Sequence, residues 1–374
     1  MRIAENEATL LKVLAAYDLP EIPVDIARYG SGYINDTYCV VCRPKEGKAI
    51  RFILQGLSLT AFPRQEELME NFINITSHLR KKIEAAGGDV MRETLSLVPT
   101  RDGKLYYVEE SGKIWRLIHY IEDTICLQEA TPELFEASAR AFGRFQRLLA
   151  DYPAHTLHET IVNFHNTEDR FNKFIAALKA DKLGRAKDVA AEIQFVLDHK
   201  ADCSVAVSAL REGKLPLRVT HNDTKLNNVL IDEDTLEGIC IIDLDTTMPG
   251  LAIYDFGDSI RFGANHSAED EKDLTKVNFD IDLYARYTRG FLTGAQGIFT
   301  ETELEYLPWG AKLMTLECGI RFLTDYLDGD NYFRIHYPEQ NLDRCRTQFK
   351  LVRDMEDKWE QMHEVVGEIA GNIH

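Results

Sequence analysis

Short β-prone apolar runs occupy the first third of the chain, and long helical periods occupy the rest. Tyr38–Cys42, Ala49–Leu54 (AIRFIL), Leu105–Val108 and Trp115–Ile118 have the length and side-chain types of strands. Between them, Arg64 to Ala86 reads as a helix, with Glu66, Glu67 and Glu70 near its start. The period changes at Thr131, an N-cap with Pro132 at the first helical position. Leu134, Ala137, Ala141, Phe145 and Leu148 then share one apolar face. Further helices are predicted over 167–180, 185–212, 281–293, 303–328 and 339–370, with Thr302 and Glu305 as a capping box for the fourth of these. Two short strands, Pro216–Thr220 and Gly238–Ile242, interrupt this helical part. The pattern predicts an α+β chain: a small β-sheet lobe over 1–118, a hinge at 119–123 and a larger, mainly helical lobe over 124–374. It contains no internal repeat and no low-complexity segment.

Those two strands carry the chemistry. The first feeds His221-Asn222-Asp223-Thr224-Lys225-Leu226-Asn227-Asn228, and the second ends at Asp243. His-x-Asp-x-x-x-x-Asn followed by a strand-terminal Asp is how a phosphoryl-transfer site is built. Such a reaction needs groups that orient a hydroxyl and hold Mg²⁺ against phosphates. Asp223 is then the base, Asn228 and Asp243 the metal ligands, and Lys225 the cation that neutralises the moving group. An isolated His-Asn-Asp is also common in ordinary turns, so the paired strands are what make the arrangement specific. Asp245, two residues on, would face the same side if the strand continued, to assist the metal or the substrate. The tripeptide Asp255-Phe256-Gly257 imitates a kinase metal motif but follows no apolar strand. Asp255 is therefore expected to cap the catalytic turn from behind.

HNDTKLNN, IIDLDT from Ile241, MPG from Met248 and DFGDSIRFG from Asp255 together resemble the aminoglycoside phosphotransferase and choline kinase family. Within it the chain looks most like the N-acetylhexosamine 1-kinases, through FHNTEDRF from Phe164, DKLGRA from Asp181 and ECGIRFLTDYLDGD from Glu317. The resemblance implies a bilobal, protein-kinase-like fold, ATP and Mg²⁺ as cofactors, and a small-molecule sugar as substrate. It places the turn containing Gly30, Gly32 and Asn35 over the phosphates, and His119, Tyr120 and Ile121 against adenine. The lysine expected on the AIRFIL strand is missing; Gln55 follows the strand and Arg51 is its nearest cation. The helix over 303–328 is apolar almost all round near its end except for Glu317, Arg321, Thr324 and Asp325. Glu317 and Arg321 have the spacing of an i,i+4 salt bridge and equally that of a sugar site. The resemblance favours Arg321 and Tyr332 as sugar contacts.

Charge and composition narrow the alternatives. The net charge of −18 disfavours nucleic-acid and anionic-membrane partners. No apolar run spans a bilayer, and MRIAENEATLL lacks the form of a secretion signal, so a cytoplasmic location is expected. Seven scattered cysteines fit a reducing compartment, and Cys39-x-x-Cys42 lies inside a strand pattern rather than beside a second ligand pair. His155, His158 and His165 show no matching ligand set. Two other readings stay open: a kinase of the same fold acting on an amino alcohol, homoserine or an aminoglycoside, and a non-catalytic nucleotide-binding protein.

Overall fold

The computed structural model describes residues 7–30, 32, 34–44, 47–129 and 131–373. Helix α1 (Glu7–Ala15) precedes β1 (Pro23–Arg28), β2 (Asp36–Cys42) and β3 (Ile50–Gly56). Helix α2 (Gln65–Ala85), β4 (Tyr107–Val108) and β5 (Ile114–His119) complete a five-stranded antiparallel sheet ordered β1-β2-β3-β5-β4. Alternate residues of β2 and β3 point to one face, where Tyr38, Val40, Cys42, Phe52 and Leu54 pack with Leu10, Val13 and Leu14 of α1. The other face packs on α2, which buries Leu68, Met69, Phe72, Ile75 and Leu79. Cys39 and Cys42, an odd step apart on β2, lie on opposite faces of the sheet and are both free.

The chain then crosses to a mainly helical region. Strand β6 (Thr124–Cys126) is followed by α3 (Pro132–Leu148), α4 (Thr167–Ala180), α5 (Ala190–Asp198) and α6 (Val205–Arg211). Next come β7 (Arg218–Thr220), β8 (Val229–Asp232), β9 (Gly238–Ile241) and β10 (Met248–Gly250). Helices α7 (Ala252–Gly263), α8 (Ile281–Ala295), α9 (Glu301–Asp328), α10 (Gln340–Asp357) and α11 (Trp359–Ile373) finish the fold. Strands β6, β8 and β9 form one small sheet, and β7 pairs with β10 in a second. This is an α+β, bilobal, kinase-like architecture. No described helix is long and apolar enough to cross a membrane.

Several boundaries differ from the sequence pattern for local reasons. The helix expected over 185–212 breaks, because Asp198-His199 and Asp202-Cys203-Ser204 are poor helix formers and Asp202 is drawn to Lys312. The helix expected over 339–370 is two helices: Lys358 donates to the carbonyl of Phe279 and Trp359 packs against Trp309. The capping box is Thr300 with Glu303, not Thr302 with Glu305. Thr300 Oγ1 accepts from Glu303 N at 3.1 Å, and Glu303 Oε2 accepts from Thr300 N at 2.9 Å.

The DFGDSIRFG string is helical, as α7. Helix α7 crosses α9 at Gly257 and Gly310, where a Cβ on Gly257 would stand 2.1 Å from the Gly310 carbonyl oxygen. Phe256 is fully buried against Tyr284, Tyr287 and Phe291. The phenylalanine and glycine of this tripeptide thus answer to packing.

Candidate active site

Strands β7 and β9 lie in different small sheets, and the turns that follow them meet through His221 and Ile242. Asn222 (φ 66°) and Asp243 (φ 59°) adopt left-handed backbone conformations, which Asn and Asp tolerate best among non-glycine residues. The buried His221 ring meets the Ile242 carbonyl at Nε2 (2.9 Å) and the N–H of Asp223 at Nδ1 (3.3 Å). A carbonyl only accepts and an N–H only donates, so Nε2 faces an acceptor and Nδ1 a donor. It is a brace between the two turns.

Helix α7 holds the turn that carries Asp223 from behind. Asp255 accepts the backbone N–H of His221 (2.9 Å) and of Asn222 (2.8 Å), and also the Gln146 amide (2.6 Å), which is the capping arrangement anticipated for it. Asp258 accepts Thr224 N at 3.0 Å and pairs with Arg261 at 3.0 Å. Burial alone would raise the Asp258 carboxyl, but Arg261, Lys225 and His165 outweigh it and hold the group below its ordinary range.

In front of the turn, Asp223 pairs through Oδ1 with Lys225 Nζ at 2.7 Å, and Asn228 Nδ2 donates to Oδ2 at 3.2 Å. Asn228 Nδ2 also donates to the Asp223 carbonyl at 2.7 Å, so its amide oxygen is the atom left for a cation. Asp243 makes no hydrogen bond or ion pair among the described residues. Its side chain is open to solvent, and desolvation by the protein packed about it, then Asp245 and Asp223, push its carboxyl up to about 6. An unneutralised carboxylate beside two others is a donor set suited to a hard divalent cation. Asp243 and Asn228 are the groups placed to hold one.

Asp245 lies in a short 3₁₀ turn, Leu244–Thr246, instead of continuing the strand. It is buried, paired at 2.7 Å with Arg116 of β5, and accepts from Asn35 Nδ2 at 2.6 Å. Asn35 Oδ1 in turn accepts Ser58 N at 3.0 Å. Gly30 (φ 78°) and Gly32 have open space where a Cβ would stand; Ser31 and Tyr33 lie outside the described residues. At the crossing, the N–H groups of His119 and Tyr120 bond the carbonyls of Ser96 (2.9 Å) and Arg51 (3.2 Å). Ile121 is buried, and the Tyr120 hydroxyl lies 2.9 Å from that of Tyr29.

The phosphotransferase enzyme family, APH, matches residues 25–289, which include the glycine turn, the catalytic turn and Asp243. The chain belongs to this family. Similar solved structures include a microcompartment-associated aminopropanol kinase, at 16% identity over 95% of this chain and 98% of that one, with a TM-score of 0.58. An aminoglycoside phosphotransferase from Alicyclobacillus acidocaldarius shows 12% identity over 97% and 95% of the two chains, TM-score 0.58. Amicoumacin kinase, solved with AMP-PNP, Ca²⁺ and Ami, shows 13% identity over 95% and 94%, TM-score 0.57. At these identities the likeness is one of fold.

Helix α9 lies beyond the family match, so its polar stripe must be read from its own residues. Glu317 and Arg321 do not pair with each other. Glu317 turns inward, accepting Thr167 Oγ1 at 2.9 Å and facing His165 Nδ1 at 3.0 Å. The other His165 nitrogen faces the Asn222 carbonyl at 3.0 Å. Both neighbours of the ring are acceptors, so His165 carries two protons. Burial opposes that charge, but Glu317 more than offsets it and raises the imidazole above its ordinary range. Glu317 is lowered in turn: burial would raise it, and His165, Arg170 and Arg321 prevail.

Arg321 faces an aromatic frame of Phe164, Tyr332 and Phe333, with Nη2 at 3.4 Å from the Tyr332 hydroxyl. Beside it Arg170 donates Nη2 to the Phe164 carbonyl at 2.7 Å while its buried Nε has no partner. Burial, then Arg321, hold the Arg170 guanidinium below its ordinary range. Asp325 accepts the N–H groups of Asn331, Tyr332 and Phe333 at 2.9, 2.8 and 2.9 Å and so builds the loop that presents Tyr332. Thr324 bonds its own helix. The polar stripe of α9 therefore divides into an inward pair-former, an outward cation and a loop anchor.

Sequence pattern did not single out Arg116, His165, Arg170 or Asp258 for these roles. Arg116 did leave a signal, a lone charge inside the apolar run Ile114–Ile118. His165 meets Glu317 and Asn222, and Asp258 meets Thr224, only through contacts distant in sequence.

Proposed function

We propose that this phosphotransferase moves the γ-phosphoryl group of ATP, with Mg²⁺, to the anomeric hydroxyl of an N-acetylhexosamine. The observation that carries the acceptor class is the wall beside the catalytic turn. It presents the guanidinium groups of Arg170 and Arg321, while Glu317 is neutralised by His165. The nearby carboxylates are also engaged: Asp169 pairs with Lys173, Asp258 with Arg261, and Asp325 with backbone N–H groups. A cationic wall repels an amine and suits hydroxyl and acetamide oxygens, which a planar guanidinium bonds as a fork. Phe164, Tyr332 and Phe333 supply apolar surface for a sugar face. The resemblance of FHNTEDRF, DKLGRA and ECGIRFLTDYLDGD to N-acetylhexosamine 1-kinases supports the same reading.

In this reading Asp223 takes the acceptor hydroxyl's proton, and Lys225, now paired with Asp223, moves its charge to the transferring group. Bound at Asp243 and Asn228, Mg²⁺ supplies charge neutralisation for the phosphates. Gly30 and Gly32 let the backbone approach the phosphates, and the His119–Ile121 crossing borders the adenine.

The solved structures of aminopropanol and choline/ethanolamine kinases make an amino alcohol the competing acceptor. A coupled ADP-release assay over a panel of sugars and amines separates the two. N-acetylglucosamine and N-acetylgalactosamine are expected to turn over well above glucose, galactose and every amine; preferred turnover of an amino alcohol would reverse the assignment.

A further inference from the structure

A kinase of this architecture lacking its strand lysine still needs a cation near the nucleotide phosphates. Arg116 stands beside the gap. It leaves β5 directly across from Gln55 of β3, and its side chain is 1% exposed. Gln55 Oε1 accepts from Arg116 Nε at 3.0 Å and Nη2 at 2.8 Å. The guanidinium lies 4.3 Å above the Phe72 ring of α2, and Nη1 reaches Asp245 Oδ1 at 2.7 Å. The second Asp245 oxygen accepts from Asn35, at the end of the glycine turn, at 2.6 Å.

One buried network thus joins the glycine turn, the sheet, α2 and the turn that carries Asp243. The hydrogen bonds of the Arg116 guanidinium go to Gln55 and to Met69 Sδ, and it meets Asp245 as an ion pair without hydrogen-bond alignment, so Arg116 does not contact phosphate as a lysine would. A buried arginine is costly to desolvate without its partner, and here the partner belongs to the other lobe. The pair is therefore complete only when the sheet is seated on the Asp243 turn. Loss of either member would free that turn.

We propose that Arg116 is a positioning residue for the metal-binding turn, occupying the strand position across from the absent lysine without taking over its phosphate contact. Through Asp245 it fixes the turn bearing Asp243, so that a nucleotide and its metal meet a preformed site. The inference rests on Asp243 as the metal ligand proposed above.

The test uses the full chain with Arg116→Met, Arg116→Lys, Asp245→Asn and the Arg116→Met/Asp245→Asn double variant. ADP binding is measured by calorimetry with and without Mg²⁺, together with KM for ATP and for the acceptor. Outer partners of metal ligands typically contribute about 10–100-fold in affinity. Arg116→Met and Asp245→Asn should each weaken ADP binding by that much with Mg²⁺ and far less without it. The double variant should be no worse than the weaker single, since both act through one pair. Arg116→Lys should fall between, and acceptor KM should stay near wild type. If Arg116→Met does not fold, Asp245→Asn and Arg116→Lys carry the same reading. Mg²⁺-dependent ADP binding within twofold of wild type in these variants, or additive losses in the double, overturns the proposal. Asp243→Ala is the control: retained Mg²⁺ dependence there sinks the metal assignment, whereas loss there with silent Arg116 and Asp245 variants sinks this inference alone.

Discussion

His165 lies 3.0 Å from Glu317 Oε1 through one ring nitrogen and 3.0 Å from the Asn222 carbonyl through the other. A buried ion pair thereby ties helix α9 to the residue before Asp223. Removing one partner of such a pair typically costs about 3–5 kcal/mol. Because the folded His165 value is raised, its stabilisation is complete below the ordinary histidine range and is lost as pH rises through the raised value. Glu317 is lowered, so its contribution holds above the ordinary glutamate range and is lost as pH falls through the lowered value. Melting temperature should therefore decline on the alkaline side, and Glu317→Gln should be less stable with that decline flattened. A variant with an unchanged pH profile would contradict the pairing.

Asp223→Asn should lower kcat by about 10²–10⁴-fold, the usual scale for a general base. Nucleotide affinity should be nearly unchanged, since the base acts on the acceptor hydroxyl. Steady-state kinetics with an ADP-binding control check both halves, and retention of most of kcat would remove Asp223 from the role.

The proposed metal ligands and the aspartate that caps the turn should separate cleanly. Asp243→Ala should abolish Mg²⁺-dependent turnover and Asn228→Ala should weaken it. Asp255→Ala strands two buried backbone N–H groups, each worth about 1–3 kcal/mol. It should lower melting temperature without altering the Mg²⁺ requirement. Since the Asp243 carboxyl is pushed up to about 6, protons compete with the cation below that pH. The Mg²⁺ concentration for half-maximal rate should climb as pH falls through 6; a requirement flat across that range would exclude Asp243.

Arg321→Ala should cost roughly 10–100-fold in kcat/KM for N-acetylated hexoses, the loss of a charge-assisted hydrogen bond of about 1.5–3 kcal/mol. Glucose should suffer much less. An equal loss for both sugars would mean that Arg321 supports the site without reading the acetamide.

Elements with a strong local signal were legible before the structure. Thr131-Pro132 opens α3 and 167–180 is α4, because cap and period are read within one turn. The Asp223–Asn228 spacing and the strand before Asp243 were equally local. What sequence concealed is pairing at long range. Glu317 and Arg321 are four apart on one helix, yet Glu317 belongs to His165, which lies 152 residues away. Gln55 marked a missing lysine, but its neighbour Arg116 is 61 residues off and becomes adjacent only through strand register. Asp245 looked like a second cleft carboxylate until the chain turned after Asp243 and handed it to that arginine.

Phosphorus NMR of the product formed from ATP, Mg²⁺ and N-acetylglucosamine or N-acetylgalactosamine decides between a sugar and an amine acceptor. A glycosyl 1-phosphate in the α configuration is expected from either epimer, formed about 10²–10⁴-fold more slowly with Asp223→Asn. A 6-phosphate would place the sugar the other way round in the cleft, and no sugar phosphate beside a phosphorylated amino alcohol would contradict the acceptor assignment altogether.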